Sequence, residues 1–222
     1  MSSAHAPSVG WRSPEVQSEL PELRLLLAQV QVRRRGALTG ASPPDIQARL
    51  RERSSRFRGA RAVGIRREPV AAAYRVFFRH IGLDPDVVRT PIEAVVLERM
   101  LRGGFLSGGL LADVLLIALT DTSVPVWALD SEQLEGQPGI RPSREGEPLG
   151  RAEHAMALPA GHLVVADSRA ALALLFGEPV PPHAPAAHSR LLTLFALQVP
   201  GVPTLYAEEA LWSAACALEE AL

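Results

Sequence analysis

Residues 110–119 read LLADVLLIAL, apolar throughout except for one carboxylate, Asp113, and two glycine pairs, Gly103-Gly104 and Gly108-Gly109, precede the run. A stretch of that composition has to be largely enclosed by other apolar groups, and a charge inside it is costly unless it is hydrogen-bonded or paired. Asp113 therefore has two readings. In one it accepts hydrogen bonds from nearby backbone N–H groups and fixes a turn or helix start; in the other it is a catalytic acid. The glycine pairs frame a short segment expected to be mobile.

The chain around this run has the size and composition of a single domain or of two intimate subdomains, with 222 residues of which 47% are apolar. No uninterrupted apolar run approaches the about 18 residues that a membrane span needs, and the opening MSSAHAPSVG has no signal-peptide profile, so the expectation is a cytoplasmic protein without a membrane partner. Residues 1–13 are expected to be a disordered tail, followed by one domain over 14–222. A single cysteine, Cys216, excludes an internal disulfide and sits in an alanine-rich helical pattern as a small core residue.

All 23 basic residues are arginine, and they are unevenly spread. Residues 1–105 hold 18 arginines against 10 acids, whereas residues 106–222 hold 5 against 14; residues 33–67 alone hold 11 against Asp45 and Glu52. Such a bias marks either a side that faces nucleic acid, with Arg49, Arg53, Arg56 and Arg58 as candidates, or a solvated helical face paired with the acidic half.

Taken in order, Ser13-Pro14-Glu15 predicts a short helix that Pro21 ends, and residues 23–32 a strand whose second half alternates like a half-exposed one. Residues 46–56 predict a poorly amphipathic helix on the surface, its arginines spread around it. Residues 68–80 predict a stronger helix with a core stripe of Val70, Tyr74, Phe77 and Phe78; His80 near its end serves the free carbonyls and the helix dipole. Thr90 and Pro91 open a helix that Gly103 stops. Strands are expected from Ile140-Arg141, over 162–166 and over 191–199, with a short apolar element at 170–176, a Pro and His loop at 178–189, and a closing helix over 207–222. Helices first and short strands later argue for an α+β fold.

Several chemistries find no footing in the residues. His183 and His188 lie five apart in a proline-rich loop with no second cluster of ligands, so no zinc site is expected. The paired glycines lack a following Lys-Ser/Thr, no G-x-S-x-G elbow exists, and Cys216 has no adjacent histidine. No metal or cofactor is expected.

Asp113, Pro125 twelve residues on and Asp130 five further, then Gly136, Arg141, Gly146 and Glu147, stand at a spacing that resembles the B3/B4 domain of the bacterial phenylalanyl-tRNA synthetase beta subunit in its free-standing form. Residues 164–167, ending in Ala-Asp, the Ala173 to Gly177 segment, and Arg89-Thr90-Pro91 with Glu93-Ala94 continue the likeness, which spans roughly residues 66–215. The resemblance implies a β-rich sandwich of unusual topology with helices around it and a pocket between its two halves. It also implies RNA binding and tRNA editing, in which an ester-linked amino acid is hydrolysed by a positioned water. Pocket candidates carried over by position are Gly109, Leu110, Asp113, Trp127, Arg141, Glu147, Ala173 and Gly177. The family's paired asparagines fall on Gly109 and Leu110, its histidine on Trp127, and its late-strand glutamate near Ala196. Two functions follow: a tRNA-associated protein that clears mischarged aminoacyl-tRNA in trans, or a pocket protein that binds a free amino acid or similar small metabolite. Trp127 is expected on a loop lining the pocket, and Arg141 and Glu147 are expected close together.

Overall fold

The structure, a computed structural model, describes residues 7–34, 36–150 and 155–222. Strands β1 (Ser8–Val9) and β2 (Trp11–Arg12) lead into helix α1 (Pro14–Glu19), whose first turn is closed by the Ser13 hydroxyl accepting from Val16 N. Strand β3 (Arg24–Gln31) follows, then α2 (Pro44–Arg56), α3 (Gly59–Gly64), a 3-10 turn, α4 (Pro69–His80) and α5 (Pro91–Arg102). Helix α6 (Leu110–Thr122) precedes strands β4 (Val126–Asp130), β5 (Gly139–Pro142), β6 (Glu147–Leu149), β7 (Met156–Leu158), β8 (Leu163–Ala166), β9 (Ala171–Leu174) and β10 (Leu191–Gln198), and α7 (Thr204–Ala221) closes the chain. The α+β expectation holds.

Two sheets share one core. The first has the order β1-β3-β10-β4, antiparallel throughout, with Leu27 opposite Phe195 and Phe195 opposite Trp127. The second has the order β2-β5-β8-β9-β6-β7 and mixes parallel and antiparallel pairs. Ile140, Val165, Leu172 and Ala173 of the second sheet join Leu25, Leu129, Leu194 and Phe195 of the first in a single apolar cluster. Helix α7 lies on β3 and β10 with α6 beside it, which is why β10 is apolar almost without alternation: both of its faces are covered.

Residues 8–12 correct the expectation of a disordered tail; residues 1–6 lie outside the described residues. Around Gly10 the chain passes from one sheet to the other, β1 pairing with β3 and β2 with β5. Trp11 seals this junction by donating its indole N–H to Gln137 O at 2.7 Å and covering Gly139, where an added Cβ would lie 2.1 Å from the Trp11 ring. Two-residue strands carry no readable alternation, so this pairing has no local signature.

Helix α2 corrects a second expectation. Ile46, Leu50 and Ser54 are buried at helical spacing and the helix packs on α6, so it is a core-facing helix.

Helix α6 is anchored at its N-terminus by three short segments. Gly109, at φ +101°, brings the chain against residues 39–40, where a Cβ would sit 3.2 Å from Gly40 O, and Leu110 N and Leu111 N donate to Gly40 O and Leu38 O. The Asp113 carboxylate, 1% exposed, accepts from the Ser42 hydroxyl at 2.6 Å, the Ser107 hydroxyl at 2.5 Å and Gly108 N at 2.8 Å. The glycine-framed segment is therefore tied down at Ser107 and Gly108, and at Phe105, whose N–H donates to Ser54 Oγ at 3.1 Å. Replacing Asp113 with Ala leaves the buried Ser42 hydroxyl without an acceptor, and the more exposed Ser107 hydroxyl and Gly108 N–H as well, and should lower stability by about 1–3 kcal/mol. A urea midpoint unchanged from wild type would refute this anchoring role.

Candidate functional site

A cleft of about 1320 Å³ opens between the helices and the ends of the strands. One wall is α6 itself. Ala112, Leu115, Leu116 and Leu119 repeat at i, i+3, i+4 and i+7 and border the cleft, while Leu110, Val114, Ile117 and Ala118 of the same helix are buried in the core. The opposite wall is aromatic and aliphatic, with Trp127 from β4, Phe78 from α4, and Leu174, Leu175 and Phe176 from β9 and its exit. Trp127 stacks on Phe195 at 5.4 Å between ring centroids and leans on Phe176 at 6.4 Å, so the wall is continuous with the core behind it.

The rim between α4 and α5 is set by a charge network in which Arg75 and Glu93 are buried and Asp86 is exposed. Arg75 donates to Glu93 Oε1 and to Asp86 Oδ1, each at 2.6 Å, and Glu93 Oε2 accepts from the Thr90 hydroxyl at 2.7 Å. These bonds hold the turn that presents Val88, Arg89 and Pro91 to the cleft. Other polar lining groups are Glu15 and Glu19 from α1, His80 at the end of α4, His162 ahead of β8, and Glu178 after β9.

Glu178 is exposed by surface area, yet its carboxyl is crowded by the cleft walls. Burial of that group pushes its pKa above the ordinary carboxylate value, and a hydrogen bond with the Trp127 side chain pulls it part of the way back.

Of the carried-over pocket candidates, Trp127 and Gly177 border the cleft and the others do not. Gly109 caps α6, Leu110 and Asp113 are buried in its first turn, and Ala173 is enclosed within β9. Leu110 and Ala173 are used for packing, Gly109 for the close approach to residues 39–40, and Asp113 for satisfying nearby donors. Trp127 itself lies within strand β4 and is 4% exposed, not on a loop, because Val126–Asp130 form a strand buried along its whole length. Arg141 and Glu147 do meet, in a two-pronged ion pair across the β5–β6 turn: Arg141 Nη1 donates to Glu147 Oε2 at 2.8 Å and Nη2 to Oε1. The pair braces the second sheet away from the cleft lining.

Asp130 and Asp167 behave as Asp113 does. Asp130 accepts from the Ser189 hydroxyl and Glu132 N, and Asp167 from the N–H groups of Glu135, Arg169 and Ala170. The basic half is partly neutralised. Arg53 pairs with Asp121 and Arg56 with Glu52, whereas Arg49 and Arg58 have no acidic partner among the described residues. Arg49, Arg53 and Arg56, at i, i+4 and i+7, share one side of α2 and Arg51 lies on another, so the arginines are spread around the helix.

Among the described residues no cluster of three or more His, Cys, Asp or Glu could hold a metal ion, and no helix is long and apolar enough to cross a membrane. The Cys216 thiol is pushed up by burial and by Glu219 and Glu220, away from the thiolate that reactive cysteines need. Comparison with protein-family models and with curated proteins gives no match.

Sequence reasoning missed Glu178, His162, Phe176 and the cleft face of α6. The signal for the last was present: a helix with no polar stripe must cover all its faces, and one of them can be covered by a ligand. The two glutamates titrate in opposite directions. Arg141 holds Glu147 below the ordinary range, so its contribution is present above the unfolded-state pKa and is lost as pH falls through the lowered folded value. Glu178 is raised, so folding is penalised above its folded pKa and relieved on acidification. Thermal melts over about pH 3 to 8 should show Glu147→Gln less stable and Glu178→Gln more stable than wild type at neutral pH. Both differences should shrink towards the acid end; the same sign for the two variants at neutral pH would overturn these environments.

Proposed function

We propose that the cleft binds an amino-acid-like ligand whose aromatic or aliphatic side chain lies between α6 and the wall of Trp127 and Phe176. The observation that carries this reading is the second apolar face of α6, where Ala112, Leu115 and Leu116 border the cleft while Leu119 at its end is buried in a second apolar cluster. Contiguous apolar surface left accessible in a globular domain marks a place that a ligand or partner covers. Thermal denaturation with a panel of aromatic and aliphatic amino acids, their amides and their esters tests it. A ligand present at a hundredfold its Kd adds about 2.7 kcal/mol to stability, and a panel that leaves the melting temperature unchanged overturns the reading.

A second reading keeps the cleft and changes the carrier: the same aminoacyl group arrives on a tRNA, as in the B3/B4 editing domains that the sequence resembles. Its support, beyond the resemblance, is the arginine surface of α2 and α3, where Arg49 and Arg58 are free of acidic partners among the described residues. Each arginine that neutralises a phosphate contributes about 0.7 to 0.9 to the slope of log affinity against log salt concentration. Arg49→Gln with Arg58→Gln should flatten that slope for tRNA, and Arg53→Gln should do so less because Asp121 already engages it. tRNA affinity independent of salt, together with no deacylation of mischarged tRNA above buffer, would remove this reading.

A further inference from the structure

Helix α7 packs on β3, β10 and α6 and leaves its other side bare. Leu205, Glu208, Glu209 and Trp212, at i, i+3, i+4 and i+7, are all exposed and share that bare side, so an aliphatic and an indole side chain stand in line with a carboxylate on either flank. Half of Trp212 is in water. The helix holds no basic residue, and neither Glu208 nor Glu209 has a cationic partner among the described residues. A second surface has the opposite charge around a similar apolar centre. The ends of α2 and α5 are tied together where Arg99 donates to Ser54 O at 2.9 Å and Phe105 N to Ser54 Oγ, and Phe57 meets Phe105 edge to face at 6.1 Å. Helix α3 packs on α5 beside this knot. Val63, Leu101 and Leu106 project from it into solvent, Leu101 at 78% exposure. Arg58 and Arg67, one on each side of α3, are exposed and have no acidic partner among the described residues. Exposed apolar groups ringed by charge mark surfaces that a partner covers, and Trp and Arg are the residues such interfaces favour.

We propose that the chain associates with a second copy of itself head to tail, the α7 stripe of one molecule seating on the arginine-flanked surface of α3 and α5 of the next. Charge complementarity selects this occupant. Either surface laid on its own copy sets like charges face to face, whereas each laid on the other pairs carboxylates with guanidinium groups and Leu205 and Trp212 with Val63, Leu101 and Leu106. A nucleic acid would use the arginines but has no need of the leucines that project among them, and it repels the α7 stripe. Because the two patches differ, the interface is heterologous: it closes into a ring or continues as an open chain. The inference is independent of what the cleft binds.

Sedimentation velocity of the full chain over about 1 to 200 µM tests this. Mass should rise with concentration, and the apparent Kd should weaken about tenfold between about 50 and about 500 mM salt. Trp212→Gln and Leu101→Gln, both at exposed positions, should each stay monomeric over that range and keep the melting temperature of dilute wild type. An equimolar mixture of the two should give a heterodimer and nothing larger, since one chain keeps the α3–α5 surface, the other keeps the α7 stripe, and pairing them uses up both. Glu208→Arg and Arg58→Glu make the same pair of half-blocked chains through charge and replace either variant that melts early. Wild type that remains monomeric throughout overturns the proposal, including the case in which that monomer binds tRNA through Arg58. So does a mixture that stays monomeric while wild type associates, or association that salt leaves unchanged. If Leu101→Gln associates as well as wild type does, the α7 stripe does not seat on this surface and the head-to-tail assignment is wrong.

Discussion

The enclosure of helix α6 is the constraint on which the rest of the structure depends. A helix apolar on every side cannot rest at a surface, and its N-terminal N–H groups cannot be left bare inside a core. Both demands are met by drawing distant chain to it. Residues 38–40 supply carbonyl oxygens to its first turn, Ser42 and Ser107 supply hydroxyls to Asp113, α7 and α2 cover two of its sides, and the remaining side forms the cleft wall. The position of α2, the tethering of the glycine-framed segment and the existence of the cleft all follow from how α6 is surrounded.

The enclosed acids share a logic. Asp113, Asp130 and Asp167 each terminate a stretch of backbone that would otherwise carry unpaired donors, and Glu93 and Glu147 are matched by guanidinium groups in buried or half-buried pairs. Such satisfied networks specify loop geometry, since a half-satisfied one would cost more than an apolar replacement. Glu178 differs: it borders the cleft, and burial of its carboxyl raises its pKa while a hydrogen bond with the Trp127 side chain lowers it.

Long elements with a clear period could be read from the chain. Helices α4 and α5 follow their apolar spacing and their Pro-led starts, β10 follows its unbroken apolar run, and α7 follows its alanine-rich pattern. The buried stripe of α2 was harder to see because arginines flank it and Ser54 is one of its buried members. Strands β1 and β2 had no local mark, since two residues each cannot display a period and their partners lie far along the chain. Asp113 was readable as a structural acid, because a lone carboxylate in an apolar run has to be hydrogen-bonded; which hydroxyls would meet it was not, Ser42 lying 71 residues away.

By itself the sequence determined the α+β character, the principal helices, the need to bury residues 110–119 and the pairing of Arg141 with Glu147 across a short turn, all consequences of local spacing and of the cost of unsatisfied polar groups. Tertiary structure alone decided where the cleft lies and what faces it. Its walls come from α1, α4, α5, α6, β4 and β9, segments separated by tens of residues, and no local pattern records which side of each will meet the others. The same holds for charge. Arg53 and Arg49 are alike in the chain, but folding places Asp121 against Arg53 and leaves Arg49 without an acid among the described residues. Glu178 reads as an ordinary loop acid until the fold brings it to the cleft that Trp127 also borders, because the energy of a charge depends on neighbours that only the folded chain assembles.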